Sequence, residues 1–237
     1  MDDRSRALAA GTAAGIRRPR SLRRRVWLAT RIIRLTLIVA ARMQVFVRVE
    51  KTGSRNIPRH GRVILAGNHP SVADPVLLFG GLRRNLCFLA AEFLFRQPML
   101  GQLLGWMGHV RVERGTEQAL EAVAFGERVL EHDGVVVIFP SGHLTRTGER
   151  YQAKTGVARM AFATGSPVVP FYLTGTEWIF AGRRPRPMRR VQMIFGEPIA
   201  VPRLENPTRA DLMALTRRIV DASDSLGGVP IPADDLD

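Results

Sequence analysis

A chain of 237 residues is long enough for one substantial core, and 46% hydrophobic with 24% charged residues is the balance of a globular domain, which excludes a disordered or fibrous chain. Its single cysteine, Cys87, excludes an internal disulfide and a cysteine-based metal cluster, and the ordinary role of such a residue is that of a small buried hydrophobe. The net charge of +14, with an isoelectric point of about 11.5, calls for an anionic partner: a membrane surface, a phosphorylated substrate or nucleic acid.

The position of the charge narrows that choice. Residues 1–48 hold twelve arginines against Asp2 and Asp3, so +10 of the total sits in the first fifth of the chain. Residues 1–21 are small, polar and basic, interrupted by Gly11, Gly15 and Pro19, and read as a disordered arm. Leu22 to Met43 contains no Gly or Pro and reads as a helix, with Val26, Trp27, Ile33 and Leu37 at helical spacing and Arg23, Arg24, Arg31, Arg34 and Arg42 between them. Its longest uncharged run, Leu35–Ala41, falls far short of the ~20 residues that span a bilayer. Arg31 and Arg34 also break the apolar region a signal peptide needs. The expectation is an amphipathic helix lying in the membrane interface, arginines among anionic headgroups and apolar side chains beneath them; a core helix with a solvated basic face is the alternative. Nucleic-acid binding by this segment would call for interleaved aromatics, and residues 1–45 contain only Trp27, so no nucleic-acid partner is expected.

From Phe46 onward the pattern changes. Short apolar runs at Val63–Ala66, Leu86–Ala90, Val135–Phe139, Val168–Leu173 and Val191–Phe195 predict buried strands. Between them Pro75–Phe79, Met99–Met107, Glu117–Glu131 and Lys154–Ala163 predict helices, and Thr208–Ser225 predicts a closing helix capped by Asn206 or Thr208. Strands alternating with helices predict an α/β domain with a mixed, largely parallel sheet flanked by helices. The expected organisation is an arm and membrane-binding helix over residues 1–44, one domain over 45–226, and a loose Gly/Pro-rich, then acidic tail over 227–237.

Chemistry-bearing residues gather at the ends of the predicted strands. After Val63–Ala66 the chain reads Gly67-Asn68-His69-Pro70-Ser71-Val72-Ala73-Asp74-Pro75, and ligands in open α/β sheets collect at the carboxyl ends of strands. Across such a turn Asp74 can hydrogen-bond His69, fix its tautomer and stabilise its imidazolium, leaving the other ring nitrogen to take a proton from a hydroxyl. This spacing alone arises by chance in roughly one such chain in five. Asp74 before Pro75 also reads as a helix N-cap, and His69 as a hydrogen-bonded loop histidine. Further blocks reinforce the pattern: Gly108-His109-Val110-Arg111-Val112-Glu113-Arg114, Phe139-Pro140-Ser141-Gly142-His143-Leu144-Thr145-Arg146, and Val168-Val169-Pro170-Phe171. His60, His69, His109, His132 and His143 have no convincing ligand spacing, so no metal is implied.

The order of these four blocks resembles the glycerophospholipid acyltransferases, in particular the 1-acylglycerol-3-phosphate O-acyltransferase branch. The resemblance covers roughly residues 45–200. Asn68, His69 and Asp74 match that family's N-H-x-x-x-x-D block; Gly108 and Arg114 match its second; Phe139, Pro140, Gly142, Lys154 and Gly156 match its third; Val168, Val169 and Pro170 match its fourth. The resemblance implies a fatty acyl transfer from acyl-CoA or acyl carrier protein to a lysophospholipid hydroxyl, 1-acylglycerol-3-phosphate above all, in phospholipid biosynthesis at the cytoplasmic face of a cell membrane. No cofactor is implied beyond the acyl-thioester donor. His69 would be the general base and Asp74 its partner, with backbone amides near Gly142 as oxyanion donors and Asn68, Arg114, Ser141, Gly142, Arg146 and Lys154 binding substrate.

The chain departs from the pattern at three positions. Ser141 stands where the family has glutamate, Leu144 where it has arginine, and His143 where it has a small residue. The departures leave open another acceptor, such as a glycolipid, an aminolipid or a different lysophospholipid. They also leave open a catalytically weak lipid-binding relative.

Overall fold

The computed structural model describes residues 47–91, 110–112, 116–146, 151–178 and 189–228. The expected interfacial helix at Leu22–Met43, the helix at Met99–Met107, Arg114 and the tail beyond Gly228 lie outside the described residues. Seven strands form one sheet: β1 Val47–Thr52, β2 Val63–Gly67, β3 Leu86–Ala91, β4 Val110–Val112, β5 Val135–Ile138, β6 Val168–Thr174 and β7 Arg189–Phe195. The helices are α1 Asp74–Gly81, α2 Thr116–Glu131, α3 Gly156–Thr164 and α4 Arg209–Leu226.

The sheet order is β1-β7-β6-β2-β5-β3-β4, and every neighbouring pair is parallel except β6 with β7. The mixed, largely parallel sheet expected from the alternating pattern is therefore present. Its continuous apolar runs follow from burial on both faces. In β2, Val63 and Leu65 pack with α1 residues Leu78 and Phe79, whereas Ile64 and Ala66 pack with Val157 and Met160 of α3 and Ile219 of α4. The two faces agree with right-handed crossovers. The β2–α1–β3 connection steps across the sheet in one direction, while β4–α2–β5 and β5–α3–β6 step back the other way and place their helices on the opposite face.

The helix ends follow local chemistry. Thr208 caps α4 in a reciprocal box with Asp211: the Asp211 amide donates to Thr208 Oγ1 at 3.1 Å, and the Thr208 amide donates to Asp211 Oδ2 at 2.9 Å. Thr208, of the two expected candidates, is thus the cap. Asp74 is not the N-cap of α1; the helix begins at Asp74 itself behind Ala73, and the carboxylate turns back into the preceding loop. Cys87 is buried in β3, and burial pushes its thiol up to about 12, as expected for an inert hydrophobe. Among the described residues no helix is long and apolar enough to cross a membrane.

Candidate active site

β2 and β5 are neighbours, and their outgoing connections leave to opposite faces of the sheet, through α1 on one and α3 on the other, so their carboxyl ends form the topological switch point where an α/β sheet opens a crevice. Gly67 closes β2 there. Any Cβ at Gly67 would lie 2.1 Å from the Phe171 carbonyl oxygen and 2.6 Å from its ring, so only glycine lets β6 approach so closely. Asn68 follows, 5% exposed, and spans the same gap: its Nδ2 donates to the Leu173 carbonyl at 2.8 Å and its Oδ1 accepts from the Leu173 amide at 2.7 Å. Asn68, expected to bind substrate, uses both ends of its side-chain amide to join the end of β2 to β6.

The chain then turns, and the turn carries the chemistry. His69 Nδ1 lies 2.8 Å from Asp74 Oδ2, which also accepts from the Ser71 amide at 2.8 Å. Ser71 Oγ accepts from the Ala73 amide at 3.2 Å, and the Asp74 amide donates to the Ser71 carbonyl at 3.1 Å, so the five-residue spacing is locked from within. Asp74 is fully buried, and its other oxygen, Oδ1, has no hydrogen-bond partner. Oδ2 is thus the oxygen that presents the carboxylate's charge to the imidazole. The His69 side chain is 17% exposed. With Nδ1 bound to the carboxylate, Nε2 is the nitrogen left for a reacting group.

The loop after β5 supplies the other wall. Phe139, the first residue past the strand, lays its ring on His69 with centroids 3.9 Å apart and planes 12° from parallel, and meets Phe171 edge-on at 6.0 Å. The Thr145 amide donates to the His69 carbonyl at 2.9 Å, while the His69 amide points to Thr145 Oγ1 at 3.5 Å. Neither contact was anticipated from sequence. The Phe-Pro pair after an apolar strand marked the block, but nothing local marks a ring stacked on a histidine 70 positions away.

The remaining expected residues divide. Ser141 is 1% exposed, and its Oγ donates to the His143 carbonyl at 2.6 Å, so its hydroxyl tightens its own loop rather than facing a ligand. His143 is exposed, with its ring Nδ1 2.9 Å from the Ser141 carbonyl. Gly142 adopts φ 68°, and its amide donates to the Phe139 carbonyl at 2.9 Å. That amide is therefore engaged, which removes the first backbone donor expected for an oxyanion. Lys154 takes its place on this edge, since its Nζ would lie 2.8 Å from a Cβ at Gly142. The Lys154 amide donates to the Pro140 carbonyl at 2.8 Å, which ties the segment entering α3 to the same loop. Arg146 is exposed on that loop, and Leu144 beside it is 48% exposed. The structure thus gathers His69, Asp74, Ser141, Gly142, Arg146 and Lys154 at one edge, on the loops after β2 and β5.

Known proteins resemble this chain in sequence and in fold. The acyltransferase family model matches residues 48–174, more than half of the chain. A 1-acyl-sn-glycerol-3-phosphate acyltransferase of Borreliella burgdorferi is 31% identical over 135 residues, 56% of this chain and 54% of that protein. One of Cocos nucifera is 31% identical over 130 residues, 53% of this chain and 42% of that protein. The chain thus spans about half the length of the curated relatives it matches. The crystal structure of the 1-acyl-sn-glycerophosphate (LPA) acyltransferase PlsC of Thermotoga maritima superposes with a TM-score of 0.67 over 90% of this chain and 83% of that one, at 21% identity, and so shares the fold. The matched span holds the His69–Asp74 turn, the Phe139 loop and β6 together, and on that span the chain belongs to the acyltransferase family.

Proposed function

We propose that this protein is an O-acyltransferase that moves a fatty acyl group from an acyl thioester to the hydroxyl of a lysophospholipid of the 1-acylglycerol-3-phosphate type. The observation that carries this reading is the 2.8 Å contact between His69 Nδ1 and the buried Asp74 carboxylate. A carboxylate held on Nδ1 fixes the proton there, so Nε2 has the lone pair that removes the acceptor's hydroxyl proton. The freed alkoxide oxygen attacks the thioester carbonyl and an oxygen–carbon bond forms. The carbon–sulfur bond then breaks, and the thiolate takes back the proton from the His69 imidazolium. Asp74, buried and only partly satisfied, holds that imidazolium through the step. Lys154 Nζ, close to Gly142, places a positive charge on the side of the site where an anionic acceptor headgroup or developing oxyanion would lie.

The acceptor is a membrane lipid, so the protein would act at an anionic bilayer surface, held there peripherally by the basic segment before residue 45. A vesicle assay with lysophosphatidic acid and an acyl-CoA or acyl carrier protein donor tests the reading. Wild-type protein transfers the acyl group, and His69→Ala loses at least ~10²-fold in turnover, the lower range for a positioned general base. A folded His69→Ala protein with near wild-type turnover would end it.

A further inference from the structure

A concavity on the helical face runs from Lys154, at the border of the catalytic edge, along the entry to α3 and the entry to α4. It is a groove of about 810 Å³, with Lys154, Arg159 and Arg209 along it and Pro207, Leu212 and Met213 giving it an apolar side. It continues past Arg159 and Glu205 into a smaller cleft of about 270 Å³ that includes Leu120 and Leu204. The exposed large hydrophobics of the described residues divide between the two places. Val72, Val76, Leu144 and Trp178 lie on connections at the carboxyl ends of the strands or in the first turn of α1, whereas Met213, Leu120 and Leu204 line the groove and its extension.

We propose that this groove binds the phosphorylated nucleotide end of an acyl-coenzyme A donor, an assignment that rests on the acyl-transfer reading above. Charge is the first argument. Three cationic side chains line the groove against Glu205, and Asp211 at the head of α4 is spent on the Thr208 cap. No described carboxylate forms an ion pair with Lys154, Arg159 or Arg209; the nearest claim on Arg159 is the longer-range pull of Glu127 in the adjoining cleft. A nucleotide with a 5′-diphosphate and a 3′-phosphate brings roughly four negative charges to such a surface. Shape is the second. The groove is concave and within the size range of small-molecule sites, whereas a carrier-protein partner needs a broad, flatter surface. Pro207 and Met213 offer the apolar contact an adenine ring requires. Position is the third. Lys154 is at once a groove residue and the side chain packed against Gly142, on the loop whose Phe139 and Thr145 hold His69. A pantetheine arm leaving the groove past Lys154 therefore enters the catalytic edge directly.

The test separates the groove from the chemistry. Arg159 and Arg209 are exposed, and the paired variants Arg159→Ala/Arg209→Ala and Arg159→Glu/Arg209→Glu in the full chain keep the fold, checked by thermal unfolding. With lauroyl-coenzyme A, the KM for the donor should rise at least ~10-fold while kcat and the acceptor KM stay within about twofold, the loss expected when two charge-assisted phosphate contacts go. With lauroyl N-acetylcysteamine, a thioester without the nucleotide, wild type and variants should be equal. An unchanged KM for lauroyl-coenzyme A overturns the assignment, as does equal impairment with both thioesters. A loss confined to lauroyl acyl carrier protein also overturns it and assigns the groove to that protein. If the wild type transfers from no donor, the acyl-transfer reading falls by itself. Calorimetry with coenzyme A then decides the groove alone: binding weakened by the two substitutions keeps it, and no binding ends it.

Discussion

The imidazole of His69 is clamped between two unlike partners, the carboxylate of Asp74 at one edge and the ring of Phe139 across one face, with centroids 3.9 Å apart. The carboxylate sets the tautomer. The phenyl face sets the plane in which Nε2 points and keeps water from one side of the ring. A stacked aromatic pair contributes about 0.5–1.5 kcal/mol beyond area burial. Phe139→Leu keeps an apolar side chain but removes the ring, so kcat should fall about 3–10-fold with little change in either KM. Steady-state kinetics on the folded variant checks this; a rise in KM alone would mean that Phe139 binds substrate rather than orienting the base.

Asp74 makes a sharper prediction. Replacing it with Asn keeps the size but puts a neutral amide, one end a donor, where a carboxylate oxygen meets both His69 and the Ser71 amide at 2.8 Å. The amide reorients or forces the wrong tautomer, and the imidazolium loses its countercharge. Asp74→Asn should lower kcat at least ~10²-fold. Its stability should change far less than its activity, because Oδ1 already lacks a partner. Parallel assays of turnover and thermal unfolding distinguish this from simple misfolding.

Asn68 should behave in the opposite way. Its amide satisfies the Leu173 carbonyl and amide across the β2–β6 gap, and truncation leaves both buried. Two orphaned backbone groups predict that Asn68→Ala is destabilised by about 2–4 kcal/mol. Activity should fall with the folded fraction. Denaturant unfolding measures it, and a stable variant with impaired acceptor binding would restore Asn68 to the substrate site.

The α4 cap offers a pH test. Thr208→Ala should cost about 1 kcal/mol. The Thr208 hydroxyl, then its amide, hold the Asp211 carboxyl below its ordinary 3.8, through hydrogen bonds to the charged form. A lowered folded value means the contribution is present above the unfolded value and disappears as pH falls through the folded one. The gap between wild type and Thr208→Ala should therefore be constant from neutral pH down to about 4 and shrink below that. Chemical unfolding across that range reads it directly.

Much of this architecture was legible because parallel strands buried on both faces leave continuous apolar runs, as in Val63–Ala66 and Val135–Ile138. β1 was missed for the complementary reason. It is an edge strand that alternates Val47 and Val49 with Arg48 and Glu50, and its pairing is with β7, more than a hundred residues away. The His69–Asp74 pair was readable because both residues lie within one turn. The strand-bridging bonds of Asn68 were not legible because its partner, Leu173, is 105 positions distant, and no local pattern tells a ligand-facing amide from one that bridges two strands. The bond from Ser141 to the His143 carbonyl was not legible either: it is set by the loop's turn at Gly142, which composition does not reveal.

The acceptor is where this chain leaves its family, and Leu144 is the residue to test. It is 48% exposed and immediately precedes Thr145, whose amide is bonded to the His69 carbonyl, so it sits at the rim of the site. The related pattern places an arginine here, a donor suited to a phosphomonoester with up to two negative charges. Leucine withdraws that donor, and Ser141, turned into its own loop, offers no replacement. Arg146 and Lys154 stand on the same edge, and the proposed acceptor site should keep recognition of one phosphate charge through them without the second guanidinium. The wild type should then discriminate only weakly between lysophosphatidic acid and lysophosphodiesters in kcat/KM. Leu144→Arg should raise the preference for lysophosphatidic acid about 10-fold or more, through the monoester's kcat/KM alone, since specificity is differential binding in the transition state. Competition between the two acceptors with one acyl donor measures it. A strong wild-type preference for lysophosphatidic acid, unaffected by Leu144→Arg, would show that Arg146 already fills the role.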